Sequence, residues 1–158
     1  MSLQLPRLKQ IEISGICDLS PVLHAAPNVD YFIIDFDCLK FLINHPTMCQ
    51  LLQKQILRVN IIDWIDTQSD LLEKLAQIFT SLRHIVITMK DLTVFIDQFV
   101  VKILSLWRDR SPLSIDVKGS LLEENQTNLR QWITSNSHVR EEDSFAIEYK
   151  NNWFDLWF

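Results

Sequence analysis

One apolar spacing recurs along this 158-residue chain and constrains its fold more than any other feature. The pattern is an apolar residue followed by two more at the third and fifth positions after it, as in L-x-x-I-x-I. Copies begin at Leu8, Val29, Ile56 and Leu82, in steps of 21, 27 and 26 residues, and a looser copy begins at Leu113. Alternating apolar side chains are typical of a strand with one buried face. The chain is therefore predicted to repeat a unit that contains one strand.

The segments between the repeats have helical patterns, so strands and helices alternate. The predicted strands are Leu8–Ser14, Asp30–Phe36, Leu57–Asp63, Arg83–Met89, Leu113–Lys118 and Ser144–Lys150. Such alternation indicates an α/β protein whose strands run parallel. After the last predicted strand, Asn151 and Asn152 precede an apolar tail, which predicts a C-terminal β-hairpin that covers the last sheet edge.

Residue types that start helices follow the predicted strands. Short polar side chains can accept hydrogen bonds from the free backbone N–H groups of a first helical turn. Pro46 is predicted to divide the second helical region into two short helices. The predicted N-caps are Ser20, Asp37, Thr67, Asp91 and Ser120.

The repeat length lies within the ~20–29 residues of leucine-rich repeats. Three segments, LPRLKQIEI (5–13), APNV (26–29) and FTSLRHI (79–85), each have the form of a helix end, a short turn and a repeat strand. On these segments nearly the whole chain resembles the C-terminal end of the irregular leucine-rich-repeat region of F-box-like proteins, with the F-box itself absent. The resemblance implies a curved solenoid with helices on one face, which recognises a partner protein or substrate without catalysis.

A second architecture stays open because several strands are apolar without interruption. Ile33-Ile34, Ile61-Ile62 and Ile85-Val86-Ile87 are continuous apolar runs. Strands of this kind also occur in doubly wound sheets, which carry helices on both faces. The two architectures differ in where the helices lie.

The length favours a single repeat domain, residues 1–158. The chain starts in a repeat strand without a preceding cap, and the ends of solenoids normally need caps. We therefore interpret it as the C-terminal part of a longer solenoid. An uncovered first strand, Leu8–Ser14, would present unpaired backbone groups, which predicts self-association through that edge.

Composition argues against several classes of ligand. The formal net charge of −5 predicts no nucleic-acid binding, and no apolar stretch approaches the ~20 residues of a membrane span. Only two glycines are present, too few for a phosphate-binding loop, and we expect no cofactor. Cys17, Cys38 and Cys49 form no metal-binding pair, and free thiols of this kind predict a cytoplasmic location, with the nucleus left open.

The strand that ends in Asp35-Phe36-Asp37 provides the best enzymatic alternative. It resembles the first motif of magnesium-dependent phosphatases of the haloacid dehalogenase type. The resemblance implies that one aspartate attacks phosphorus while both bind magnesium. Thr88 would supply the second motif, and Lys90 or Lys102 the lysine that holds the phosphate. Helix capping also explains these aspartates, and the chain is predicted not to be an enzyme.

The strand side chains that point away from the predicted core form the candidate binding surface. Its expected centre, Tyr31, Ile33, Ile62 and Val86, is apolar and its surroundings are charged, a composition that suits a protein partner. The alternative is that the face is merely solvated or is covered by further elements. The aromatic tail of Trp153, Phe154, Trp157 and Phe158 could either anchor a partner or close the core. The predicted partner-binding residues are Tyr31, Ile33, Asp35, Arg58, Asn60, Ile62, His84, Val86 and Asp116.

Overall fold

The computed structural model describes residues 4–65, 69–109 and 113–158, which form a seven-stranded sheet. The first five strands run parallel and lie in chain order, and the sheet is open, with β1 at one edge and β6 at the other. The prediction of an α/β protein with a mostly parallel sheet is confirmed. The strands are β1 (Gln10–Ile13), β2 (Tyr31–Asp35), β3 (Arg58–Trp64), β4 (His84–Met89), β5 (Ser114–Lys118), β6 (Ala146–Lys150) and β7 (Trp153–Trp157).

The repeated apolar positions form rows across one face of the sheet. Phe32 lies beside Val59, and Val59 lies beside Ile85, in the register of three adjacent strands. All three side chains are at most 1% exposed. Branched and aromatic side chains pack well on a pleated surface, so each repeat forms a strand and contributes its apolar positions to a common core.

The helices pack against this buried face. Neighbouring helices touch in chain order, α1 against α3, α3 against α4 and α4 against α5. On the other face, the side chains of β2, β4 and β5 are half-buried rather than buried. The described helices therefore cover only one face of these strands. None of these helices has the length and apolar character needed to cross a membrane. The helices are α1 (Ser20–Ala25), α2 (Phe36–Leu42), α3 (Pro46–Gln55), α4 (Ser69–Ile78), α5 (Asp97–Leu106), α6 (Glu123–Gln126) and α7 (Leu129–Asn136).

The C-terminal hairpin is confirmed, with a strand order that the sequence did not indicate. The last strand, β7, pairs antiparallel with β5, and β6 lies outside it at the edge. Asn151 and Asn152 turn the chain with φ values of 54° and 62°, a conformation that asparagine tolerates and that fits a two-residue hairpin turn. Phe154 is fully buried under Trp132 of α7, which joins the hairpin to the core.

Most of the predicted N-caps are wrong, although Pro46 does begin a new helix as predicted. Asp35, not Asp37, caps α2, and the N-cap of α1 is Leu19 rather than Ser20. The Asp91 carboxylate accepts from Thr93 in a turn well before α5. Thr67 lies outside the described residues.

Ser120 also fails as a cap because its hydroxyl has another partner. It donates to the carbonyl of Leu92 at 2.7 Å. The helix α6 begins three residues later, and Leu122 occupies its N-cap position. Besides Asp35, sequence reasoning missed Asn128 as an N-cap: its side chain accepts from the backbone N–H of Gln131 at the start of α7. A capping pattern in sequence thus indicates a polar turn, and the tertiary partner decides whether it caps a helix.

Candidate functional site on the open face of the sheet

The face of the sheet opposite the helices, hereafter the open face, carries the predicted binding residues in three rows. Strand register places Tyr31, Arg58 and His84 side by side in the first row. The second row runs across Ile33, Asn60, Val86 and Asp116, and the third row includes Asp35 beside Ile62. The nine predicted residues therefore occupy contiguous positions on four adjacent strands.

Three of these residues form an apolar strip, defined as Ile33, Ile62 and Val86. They come from β2, β3 and β4, and each is half-buried by its neighbours on the sheet. Such side chains keep apolar surface in contact with water that a partner could cover. The strip is the part of the predicted apolar centre that remains uncovered.

Tyr31, the fourth member of the predicted centre, has its ring covered by Arg58. The guanidinium carbon lies 4.9 Å from the ring centroid, a cation–π distance. The same guanidinium forms an ion pair with Asp30 at 3.0 Å. Arg58 is therefore held by two partners of its own chain, and its guanidinium covers part of the Tyr31 ring.

His84 and Asp116 form the shortest polar contact on the open face among the described residues. Their Nε2 and Oδ2 atoms are 2.6 Å apart across β4 and β5. An ionised carboxylate can only accept, so Nε2 of His84 carries the hydrogen that is donated. Both side chains stay partly exposed, at 34% and 23%, so the contact is open to solvent and to a partner.

The second row continues into the hairpin as an acidic row, defined as Asp116, Asp155 and Glu148. Asp116 is in register with Asp155 of β7, and Asp155 with Glu148 of β6. Partial burial raises the pKa of the Asp155 carboxyl above its usual range, and the negative charges of Asp116 and Glu148 and a hydrogen bond with Asp116 raise it further. Sequence reasoning missed Asp155 and Glu148 because their position depends on β7 inserting beside β5.

Asn60 lies in the second row between the apolar neighbours Ile33 and Val86. Its side-chain oxygen is fully buried and accepts no hydrogen bond from any described residue. A buried amide oxygen without a donor costs free energy, about 1–3 kcal/mol for a typical group. Asn60 is therefore an unsatisfied polar position between two members of the apolar strip.

Asp35 is directed at the start of α2 rather than across the sheet. Its carboxylate accepts from the backbone N–H of Cys38 at 2.8 Å and from the thiol of Cys38 at 3.1 Å. The backbone hydrogen bond is the main cause that lowers the pKa of Asp35. Burial, followed by the nearby Asp35, raises the pKa of the Cys38 thiol. These contacts make Asp35 a helix cap.

The other residues of the phosphatase alternative lie on separate elements of the fold. Asp37 is exposed in the first turn of α2. Thr88 lies on β4, separated from β2 by the whole of β3, and Lys102 pairs with Glu73 at 2.7 Å. Among the described residues no group of three or more histidine, cysteine, aspartate or glutamate side chains is placed to hold a metal ion.

The aromatic tail divides between core and surface. Phe154 is fully buried, whereas Trp157 and Phe158 are each 42% exposed. Trp153 lies on the open face under Lys118, whose Nζ is 5.4 Å from the ring centroid. Closure of the core thus accounts for Phe154, and the last two aromatic residues remain accessible.

Two of the surface hollows formed by the described residues lie outside the open face. The first has a volume of about 380 Å³ and lies between the loop after β1 and the helices α2 and α3. The second, of about 410 Å³, lies between α2 and α4 and includes Lys40 and Lys74. Neither is lined by a predicted binding residue.

Comparison with known proteins finds no relative of this chain. No family model matches it, and neither the curated proteins nor the solved structures contain a match. The functional evidence for this chain is therefore the geometry of the open face.

Proposed function

We propose that this protein is an interaction module that binds a protein partner on the open face. The observation that carries the proposal is the apolar strip of Ile33, Ile62 and Val86, which is half-buried on adjacent strands and bordered by charged side chains. Interface centres are commonly apolar with a polar rim. The core fixes the inward positions, so the outward positions are the ones free to specify a partner.

The proposed architecture is a leucine-rich-repeat-like solenoid that resembles the substrate-recognition region of F-box-like proteins. Support comes from the sequential strand order, the helices on one face and the spacing of the repeats. In such a scaffold each repeat adds one strand to a continuous binding surface. We propose no catalytic role.

The proposed location is the cytoplasm. Cys17, Cys38 and Cys49 are all free thiols, which suits a reducing compartment. We further propose that residues 1–158 form one repeat domain. The strand β1 lies at one edge of the sheet and offers unpaired backbone groups to a second copy of the chain, and light scattering at increasing concentration would detect that association.

The test of the proposed function is capture of partners from cell extract with the natural chain and with Ile33→Asp. A charge in the apolar strip should weaken the captured complex by at least about tenfold, because a carboxylate would be desolvated without a cation. Ile65→Asp is the matched control, since Ile65 is 57% exposed and lies outside the open face.

Capture that Ile33→Asp leaves unchanged would place the site elsewhere. The exposed tail of Trp157 and Phe158 is the next candidate, to be tested by changing both residues to serine. Equal weakening by Ile33→Asp and Ile65→Asp would contradict the proposal as well, because the effect would then follow net charge rather than position. Circular dichroism of both variants shows whether each retains the native fold.

A further inference from the structure

We propose that the partner presents a lysine or arginine side chain to the acidic row, next to an apolar side chain that covers Val86. The inference rests on the proposed function, because it names the chemistry of the partner at that same face. The partner would contact the surface that runs from the apolar strip to the hairpin. The distribution of charge on that surface determines which kind of side chain binds there.

The acidic row concentrates negative charge on the half of the open face that is farther from β1. Its three carboxyl groups occupy three adjacent strands in one register, β5, β7 and β6. Neighbouring strands are about 4.8 Å apart, so the three groups fall within about 10 Å of one another. Such a distribution favours a cation in the partner and disfavours a phosphate backbone.

Among the described residues no lysine or arginine forms an ion pair with this row, although Lys118 and Lys150 lie in the neighbouring row of the same face. Among the described residues His84 is the one basic side chain in an ion-pair contact with a member of the row, through Asp116. Arg58 is held by Asp30 and Tyr31. Lys118 lies over the ring of Trp153, in the next row. Asp155 and Glu148 therefore lack a lysine or arginine partner within the described chain.

The mutual repulsion of the row would be relieved by a bound cation. Because Asp155 is partly buried between two other carboxyl groups, its ionised form is disfavoured in the free protein. A lysine or arginine placed against it favours the ionised form, so the complex should weaken as pH falls and as salt rises.

The acidic row and the apolar strip are continuous. Val86 is in register with Asp116, and Asp155 lies one strand further. Val86 and Asp155 are thus about 10 Å apart, a span covered by two turns of a helix or by three residues of extended chain. A segment with an apolar and a basic residue at that separation could contact both regions at once.

The test is a nuclear magnetic resonance titration of the isotope-labelled whole chain with two capped peptides of twelve residues. One alternates leucine with arginine, and the other alternates leucine with glutamate. The arginine peptide should shift the backbone amides around Val86, Asp116 and Asp155, and the glutamate peptide should not. About 0.5 M salt should weaken the arginine complex severalfold, because the contact is electrostatic and partly exposed.

Neutralising variants locate the contact. Asp155→Asn and, separately, Glu148→Gln should each raise the dissociation constant of the arginine peptide about threefold to tenfold. Glu142→Gln is the matched control: its side chain is 70% exposed in a loop, and the change in net charge is the same. The amide spectrum of each variant shows whether it is folded, and Glu148→Gln, at the sheet edge, provides the test if Asp155→Asn is not.

Several outcomes would overturn the inference. These are equal binding of the glutamate peptide, shifts that map to the two hollows, equal effects of Asp155→Asn and Glu142→Gln, or binding of a DNA duplex to the open face. A natural partner that is lost with Ile33→Asp and kept with Asp155→Asn would leave the proposed function standing and contradict this inference alone.

Discussion

Two pairs of adjacent isoleucines show how differently the two faces of the sheet use the same side chain. Ile34 and Ile61 point to the helices and are at most 1% exposed, whereas their chain neighbours Ile33 and Ile62 are only half-buried on the open face. Residue type, strand and sequence environment are nearly constant within each pair. The pleat alone therefore separates positions that stabilise the fold from positions that are free to bind.

The largest expected effect comes from truncating one isoleucine of such a pair. Ile61→Ala should lower the free energy of unfolding by about 2–5 kcal/mol, because it leaves a cavity in a packed core. Ile62→Ala should cost about 1 kcal/mol or less, because its side chain already meets solvent. Urea denaturation of both variants measures the difference, and equal losses would show that the open face is covered in solution.

Asp35 is the last residue of β2, on the open face, and the next effect in size concerns its role as the cap of α2. Asp35→Ala should lower the free energy of unfolding by about 1 kcal/mol, because the N–H of Cys38 loses its acceptor. Asp35→Asn should lose much less, since asparagine caps helices comparably. Thermal denaturation compares the two variants.

The same pair of variants tests the phosphatase alternative. Asparagine keeps the cap but cannot attack phosphorus, so a catalytic Asp35 would lose its activity in Asp35→Asn while the fold is retained. We expect no magnesium-dependent turnover of an aryl phosphate that depends on this residue. Activity present in the natural chain and abolished by Asp35→Asn would make the protein an enzyme.

The smallest expected effect is a pH dependence that has opposite signs at Asp35 and Asp155. The pKa of Asp155 is raised in the folded protein, so its contribution to stability falls as pH rises from its ordinary value of 3.8 through the raised value. The pKa of Asp35 is lowered, so its contribution is present above 3.8 and is lost as pH falls through the lowered value.

Asp155→Asn should therefore stabilise the protein slightly at pH 7, by about 0.5 kcal/mol or less, because solvent screens a partly exposed charge. The gain should vanish near pH 3, where both states of the natural chain are largely protonated. Urea denaturation at the two pH values measures it. A loss of stability at pH 7 would show that the Asp155 carboxylate is favourably paired.

The strands were predictable because their signal is local. Alternating apolar residues such as Phe32 and Ile34 must share a face in any strand, and the recurrence of the pattern predicted parallel neighbours. Helix starts were less predictable. Ser120 can cap a helix or donate to Leu92, and only the packed structure selects between these partners.

The candidate site was predictable only as far as the parallel strands extend. Ile33, Asn60, Val86 and Asp116 follow from register, since each lies between two core positions of its strand. Asp155 was not predictable, because no local pattern indicates that the last strand lies inside the hairpin rather than at its edge. The cover of Arg58 over Tyr31 also depends on side-chain geometry that spacing does not determine.

The sequential strand order has a consequence for how the chain folds. Core residues that pair between consecutive parallel strands are separated by 21 residues from Ile11 to Phe32 and by 30 from Ile85 to Ile115. The pairing of Ile115 with Leu156 spans 41 residues. The entropy of loop closure grows only with the logarithm of length, so the 41-residue closure costs about 0.6 kcal/mol more than the 21-residue closure.

The loop-closure entropy therefore favours no pair of parallel strands strongly over the others. A leucine-rich-repeat-like solenoid, as proposed above, can begin to fold at any repeat and extend in either direction. The hairpin closes over only nine residues, from Ile147 to Leu156, and should form early and dock late. The acidic row would then assemble in that docking step, after the parallel strands have formed.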